Sequence, residues 1–112
     1  MITIAEEQSG EITVVDVNGR VDNSNAKSVE ERVVGLFRAG RNRVILDFKH
    51  LVFISSAGCR VLLVVARHAQ KNGCRLALCN LTAEVMRVLE LGGMTDFFAI
   101  YPSREEGLAK LA

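Results

Sequence analysis

The segment from Arg43 to Phe48, RVILDF, limits the possible folds more than any other part of the sequence. Its centre is almost continuously apolar, whereas a strand with one face in water alternates apolar and polar residues. Such a run is typical of a parallel strand that is covered by other elements on both faces. Because parallel neighbours are joined by crossover connections that usually contain a helix, the segment predicts an α/β fold.

The residues before this strand predict an antiparallel hairpin followed by a helix. Ile2 to Glu6 and Glu11 to Val17 have strand character, and Ser9-Gly10 between them is a turn signal. Asn18-Gly19 predicts a second turn. Three features then predict a helix. Possible N-caps are Asn23, Ser24 and Asn25, and a terminal glycine stands at Gly40. Apolar residues recur between them at helical spacing, at Ala26, Val29, Val33, Leu36 and Phe37.

The residues after the strand alternate between helix and strand patterns. The predicted elements are a short extended piece from Phe53 to Ser55, a helix from about Ala57 to Gln70, a strand from Arg75 to Cys79, a helix capped by Thr82, a short strand from Phe97 to Tyr101, and a helix opened by the capping-box pair Ser103 and Glu106. The sequence therefore predicts a single α/β domain over residues 1–112. Its sheet is expected to be mixed and mostly parallel, with four to five strands and an N-terminal β-hairpin, packed against about four helices.

The composition argues against several classes of function. The net charge is +1 and the charges are scattered, unlike the concentrated basic face of a nucleic-acid-binding domain. Cys59, Cys74 and Cys79 form no CxxC pair and have no zinc-ligand spacing, so we expect reduced thiols, no metal site and no cofactor. The apolar run from Val61 to Ala66 is too short to span a membrane, and no targeting peptide is visible at the N-terminus. A cytoplasmic protein that binds neither nucleic acid nor membrane is expected.

Ser55 and Ser56 stand where the short extended piece meets the following helix. A catalytic serine needs a general base and an oxyanion hole, and the pattern G-x-S-x-G fails here because Ile54 occupies the first glycine position. Neither GxxxxGK(S/T) nor GxGxxG occurs in the chain, so a nucleotide-binding loop of either kind is not expected. The simplest structural explanation is that one of the two serines caps the helix.

Three charged residues near these serines are candidates for a functional surface. Asp22 precedes the first helix and Asp47 lies near the end of the buried strand, although either can be a turn, cap or strand-end residue. Because functional groups of parallel sheets gather beyond the C-terminal ends of the strands, we expect Asp22, Asp47 and Ser56 to share one edge. Arg60 is the first charged residue after the serines in an otherwise apolar stretch.

The run VILDFKHLVFISSAGCRVLL resembles the central signature of the STAS domain family, and specifically that of the bacterial anti-sigma factor antagonists. The upstream run GRVDNSNA is similar to the family's Gly-x-hydrophobic-Asp segment, and the order of elements agrees along the whole chain. In the family, a serine or threonine of the signature is phosphorylated by a partner kinase. The resemblance puts this position at Ser56, with Ala57 next and Gly58 at the glycine. Ser55 stands where the family often has Asp, and it is the less favoured acceptor.

The resemblance implies a partner-switching regulator and not an enzyme. The unphosphorylated form is expected to bind an anti-sigma factor with a histidine-kinase-like ATPase fold, which is also the serine kinase, and a PP2C-type phosphatase is expected to reverse the modification. The residues expected to contact the partner are Asp22, Asp47, Ser55, Ser56, Ala57, Gly58 and Arg60, of which the two aspartates match acidic positions of the family. The alternative is a STAS module that serves only as a scaffold in a multi-protein or transport-associated complex, without phosphorylation.

Overall fold

The apolar segment predicted as a buried strand lies in the middle of a six-stranded sheet. The computed structural model describes all residues from Met1 to Ala112. Its elements are β1 (Ile2–Ser9), β2 (Ile12–Val21), α1 (Ala26–Arg38), β3 (Arg43–Asp47), β4 (Leu51–Ile54), α2 (Ser56–Lys71), β5 (Arg75–Cys79), α3 (Ala83–Leu91), β6 (Ala99–Tyr101) and α4 (Arg104–Leu111). The sheet order is β1-β2-β3-β5-β6, with β4 on β2; only the β1–β2 pair is antiparallel. The predicted fold class is confirmed.

Two hydrophobic clusters explain why β3 is apolar at successive positions. Val44 and Leu46 belong to the larger cluster, in which α1, α2 and α3 cover one face of the sheet. Ile45 belongs to the smaller cluster on the other face, where α4 contributes Leu111. Each of the three β3 side chains is fully buried, so the strand has no face in water. None of the four α-helices is both long enough and apolar enough to cross a membrane.

The predicted second turn at Asn18-Gly19 is wrong, because β2 continues through both residues to Val21. Gly19 has a φ of +101°, and the register with β4 shifts between Gly19 and Arg20. A Cβ atom at Gly19 would lie 2.5 Å from the Met1 carbonyl oxygen. The glycine therefore allows an irregularity inside a long strand, where pairing on both sides overrides the local turn signal.

The short extended piece predicted before α2 is a strand, β4, and the sheet has one strand more than the four to five expected. Because β3 ends opposite Asp16, the remainder of β2 has no partner from β3 on that side, and β4 takes this place with Val21 opposite Ile54. The strand carries the chain forward along β2 before α2 begins. It thereby determines where Ser55 and Ser56 lie.

Candidate functional site

Ser55 is the N-cap of α2, and each of its polar groups is engaged. Its backbone is extended, with φ −83° and ψ 172°, and its hydroxyl oxygen accepts a hydrogen bond from the backbone N–H of Gly58 at 3.2 Å. Its own N–H donates to the Val21 carbonyl at 2.9 Å, and its carbonyl accepts from the Cys59 N–H at 2.9 Å. Ser55 therefore joins the end of β2 to the start of α2, which is the structural role considered for one of the two serines.

Ser56 is the first residue of α2, and it is exposed. Its hydroxyl makes no hydrogen bond within the chain, in contrast to that of Ser55. The first turn of α2 contains no acidic residue, so no side-chain carboxylate of that turn offsets the positive end of the helix dipole. The two neighbouring serines thus differ in kind: one is part of the fold and the other is a free surface hydroxyl.

Gly58 holds α2 against the strands beneath it. A Cβ atom at this position would lie 2.6 Å from Ile54 Cγ1 and 2.7 Å from Val21 Cγ1, which is closer than side-chain atoms approach. The glycine is buried, so it supports the position of Ser56 from below and is not itself a contact for a partner. Glycine is therefore required at position 58 by the close packing and not by the backbone conformation, since its φ is not in the left-handed region.

Replacing Gly58 with alanine is expected to destabilise the protein by about 1–3 kcal/mol, because the first turn of α2 must move away from Val21 and Ile54. The matched control is Gly35→Ala in α1, where nothing lies within 4 Å of the added Cβ. At that exposed helical position alanine should be neutral or stabilising by up to about 1 kcal/mol. Urea unfolding of both variants measures the difference, and equal stabilities would contradict the packing argument.

Asp22 follows Val21, whose carbonyl accepts the hydrogen bond from the Ser55 N–H, and its side chain orders the loop before α1. The backbone N–H and the hydroxyl of Ser24 donate to Asp22 Oδ1 at 2.9 Å and 2.6 Å, and these hydrogen bonds hold the pKa of Asp22 below its usual range. The Asp22 N–H donates to Asn25 Oδ1 at 2.9 Å. Because Val21 accepts the hydrogen bond from Ser55, the loop after β2 begins beside the start of α2.

Asp47 does not share this edge, and the prediction that it lies beside Ser56 is corrected by the structure. It is only 2% exposed and pairs with Asp16 on β2, whereas Ile54 pairs with Val21. Along β2 these two positions are about 16 Å apart. The prediction failed because β4 carries the chain forward after β3 has ended, so that α2 starts well beyond the end of β3.

Arg104, the first residue of α4, holds Asp47, and no signal in the sequence identified this role. Its guanidinium donates to Asp47 at 3.0 Å, to Asp16 at 2.7 Å and to Glu7 at 3.1 Å. Desolvation alone would lower the pKa of Arg104, but the hydrogen bond to Asp47 and the charges of Asp16 and Asp47 outweigh it and raise that pKa. Through these three contacts Arg104 connects β1, β2 and β3 to α4, so the group of four charged side chains stabilises the fold.

Two further residues complete the surroundings of Asp47. Asn80 donates to both carboxylate oxygens at 3.2 Å and 3.3 Å, and the Lys49 N–H donates to Oδ1 at 3.0 Å. Burial raises the pKa of the neighbouring Cys79 thiol to about 12, and the charge of Asp47 adds to this effect. A buried thiol with a pKa this high is neutral and unreactive at physiological pH.

The exposed side of α2 continues the surface that begins at Ser56. Arg60 and Val64 follow at intervals of four residues, which places all three on one side of the helix. Arg60 is exposed and takes part in no ion pair, and Val64 is 38% exposed. The surface therefore combines a hydroxyl, a cation and an apolar side chain, as protein–protein contact regions commonly do.

Comparisons with known proteins agree with this architecture. The family model for the STAS domain matches residues 3–107. BtrV of Bordetella bronchiseptica, provisionally named an anti-sigma factor antagonist, is 37% identical over 93 residues, which cover 83% of this chain and 80% of BtrV. An anti-sigma factor antagonist from Mycobacterium paratuberculosis superposes with a TM-score of 0.89 at 21% identity, covering 99% of this chain and 94% of its own. The Bacillus cell fate determinant SpoIIAA, in its phosphorylated form, gives a TM-score of 0.75 at 19% identity, covering 98% and 100%.

Proposed function

The chain belongs to the STAS domain family, and on this basis we propose that it is an anti-sigma factor antagonist that acts by partner switching. Its unphosphorylated form binds an anti-sigma factor, which is also a serine kinase with a histidine-kinase-like ATPase fold. Phosphorylation of Ser56 ends this complex, and a PP2C-type phosphatase restores the unphosphorylated form. On this proposal the chain is bound and modified by other proteins and carries out no reaction itself.

The observation that carries the proposal is the difference between the two serine hydroxyls. A kinase needs an acceptor that it can reach without breaking the fold, and the exposed hydroxyl of Ser56 meets this need. The hydroxyl of Ser55 already accepts a hydrogen bond from Gly58, so a phosphate there would have to replace the helix cap. Ser56 is therefore the acceptor that we propose, and Ser55 is the positioning residue beside it.

The same geometry explains how a phosphate could change binding while the fold stays intact. A phosphoserine adds about −1.5 to −2 charges at neutral pH, and at a helix start these charges meet free N–H groups and the positive end of the helix dipole. A partner surface shaped for a hydroxyl instead meets a bulky anion. A penalty of about 2.7 kcal/mol at the interface lowers affinity about a hundredfold.

The names of the relatives support the proposal at two levels. BtrV and the Mycobacterium paratuberculosis protein are both described as anti-sigma factor antagonists, the first provisionally. SpoIIAA has been solved in a phosphorylated form, which shows that a protein of this fold accepts phosphate. For this chain, the proposed contact residues are Asp22, Ser55, Ser56, Ala57 and Arg60, with Gly58 as their support; Asp47 is buried and is no longer included.

A phosphorylation assay tests the proposal directly. Immobilised unmodified protein is used to isolate binding ATPases from the host, ATP is added, and intact-mass and fragment spectra locate any phosphate. We expect one phosphate on the wild type and on Ser55→Ala, and none on Ser56→Ala. Ser55→Ala should also lose about 1 kcal/mol of stability, because its helix cap is gone.

Two outcomes of this assay would contradict the proposal. Phosphate gained by Ser56→Ala at the wild-type rate would move the acceptor to another residue. If no recovered ATPase transfers phosphate to the wild type, the scaffold alternative is favoured. Circular dichroism of each variant confirms that a missing phosphate does not reflect an unfolded chain.

A further inference from the structure

Arg60 is placed to interact with any group attached to Ser56. The two residues are four positions apart in α2, and both are exposed. On a helix, side chains at this spacing are neighbours, with Cβ atoms about 5–6 Å apart. Arg60 is engaged in none of the chain's ion pairs, so its guanidinium is available.

We propose that Arg60 binds the phosphate on Ser56 within the same chain and holds it over the start of α2. This inference rests on the proposed function, since it assigns a receptor to the modification at that site. A phosphate has three acceptor oxygens, and an arginine presents a planar fork of donors that can bind two of them at once. The order of charges is also favourable, because an anion four residues before a cation agrees with the helix dipole.

The surroundings of Ser56 leave this role to Arg60. The first turn of α2 has no acidic side chain that would compete for the guanidinium. In the loop that follows β2, the Oδ1 atom of Asp22 accepts two hydrogen bonds from Ser24. The other arginine near the end of β2, Arg20, lies over the ring of Phe53, with its Cζ atom 4.3 Å from the ring centroid.

Binding by Arg60 gives the modified state two properties that the helix start alone would supply more weakly. The phosphate is fixed in one direction, so the anion presented to a partner has a defined position. The dianionic form is also favoured, because a neighbouring cation stabilises the more highly charged state. The second ionisation of phosphoserine occurs near pH 6, so this stabilisation makes the dianion more complete at neutral pH.

A phosphorus NMR titration of protein carrying genetically encoded phosphoserine at Ser56 tests this interaction. Arg60→Gln is expected to raise the second pKa of the phosphate by about 0.3. The control is Arg67→Gln, which removes the same charge from an exposed residue three turns along the same helix. At that distance the effect is largely screened, and a shift under about 0.1 is expected.

Thermal unfolding provides a second readout from the same proteins. We expect phosphorylation to raise Tm by about 2 °C more in the wild type than in Arg60→Gln. Equal phosphate titrations in the wild type and Arg60→Gln, or equal shifts in Arg60→Gln and Arg67→Gln, would overturn the proposal. The NMR titration uses no kinase, so it tests the role of Arg60 even if the phosphorylation assay fails. Conversely, a negative titration would overturn the role of Arg60 and would leave Ser56 as the proposed phosphate acceptor.

Discussion

Ser56→Asp is expected to preserve the fold and to weaken binding to the isolated kinase partner about a hundredfold or more. The carboxylate stands in for part of the phosphate charge at the point of contact, and a hundredfold loss corresponds to about 2.7 kcal/mol. The same substitution adds an acidic side chain to the first turn of α2, where none is present, so stability should stay constant or rise by about 0.3–1 kcal/mol. Titration calorimetry and thermal unfolding measure the two effects separately.

The control for this variant is Ser9→Asp, which adds the same charge at the exposed last residue of β1, at the opposite end of β2 from Ser55. It should leave the affinity within about twofold, because surface charges farther apart than a Debye length are largely screened. If Ser56→Asp binds the partner as tightly as the wild type, the proposed contact surface at the start of α2 is wrong. If Ser9→Asp weakens binding to the same degree, the effect reports overall charge and not the site.

Arg104→Met is expected to destabilise the protein by about 3 kcal/mol, a large effect for one surface-reaching side chain. Asp47 is 3% exposed at its side chain, and without Arg104 its charge stays buried with only neutral donors beside it. Removing one partner of a buried ion pair is far more damaging than removing an exposed one. For a domain of this size the loss corresponds to a fall in Tm on the order of 12 °C.

Two further variants separate this explanation from a general loss of charge. Arg32→Met breaks an exposed pair with Glu6, 3.0 Å apart, and should cost no more than about 1 kcal/mol. Asp47→Asn, added to Arg104→Met, should recover part of the lost stability, because it removes the uncompensated charge. A loss below 1 kcal/mol in Arg104→Met would show that the cluster behaves as a surface ion pair.

The capping of α3 and α4 could be predicted from the sequence, whereas at α1 the N-cap residue Asn25 makes no side-chain capping hydrogen bond. Thr82 and Ser103 cap α3 and α4 as expected, because a cap depends on a hydroxyl and an N–H three residues later in the chain. For α2 the sequence left open which serine is the cap. The structure assigns this role to Ser55 by its hydrogen bond to the Gly58 N–H, and this assignment leaves the neighbouring Ser56 hydroxyl exposed.

The positions of Asp47 and Arg104 could not be predicted in the same way. Asp47 was expected beside Ser56 because parallel strands end at one edge of the sheet, but the predicted extended piece from Phe53 to Ser55 is part of a separate strand, β4, that runs beyond the end of β3. Arg104 has the pattern of a solvent-exposed cation at a helix start. Its three acidic partners lie on β1, β2 and β3, the farthest of them 97 positions away in the chain, and no local pattern encodes such a contact.

The sequence by itself therefore determined the α/β architecture, the order of the elements apart from β4 and the two candidate hydroxyls, because periodicity and capping act between residues a few positions apart. Only the tertiary structure decided that Ser55 is bound and Ser56 is free, that the loop after β2 begins beside the start of α2, and that Asp47 is buried beneath Arg104. These outcomes depend on how β4 pairs with β2 and how α4 closes over the sheet. Strand pairing and the packing of α4 on the sheet bring together residues that are far apart in the chain. Their energies therefore depend on the folded arrangement and cannot be read from any single segment of the sequence.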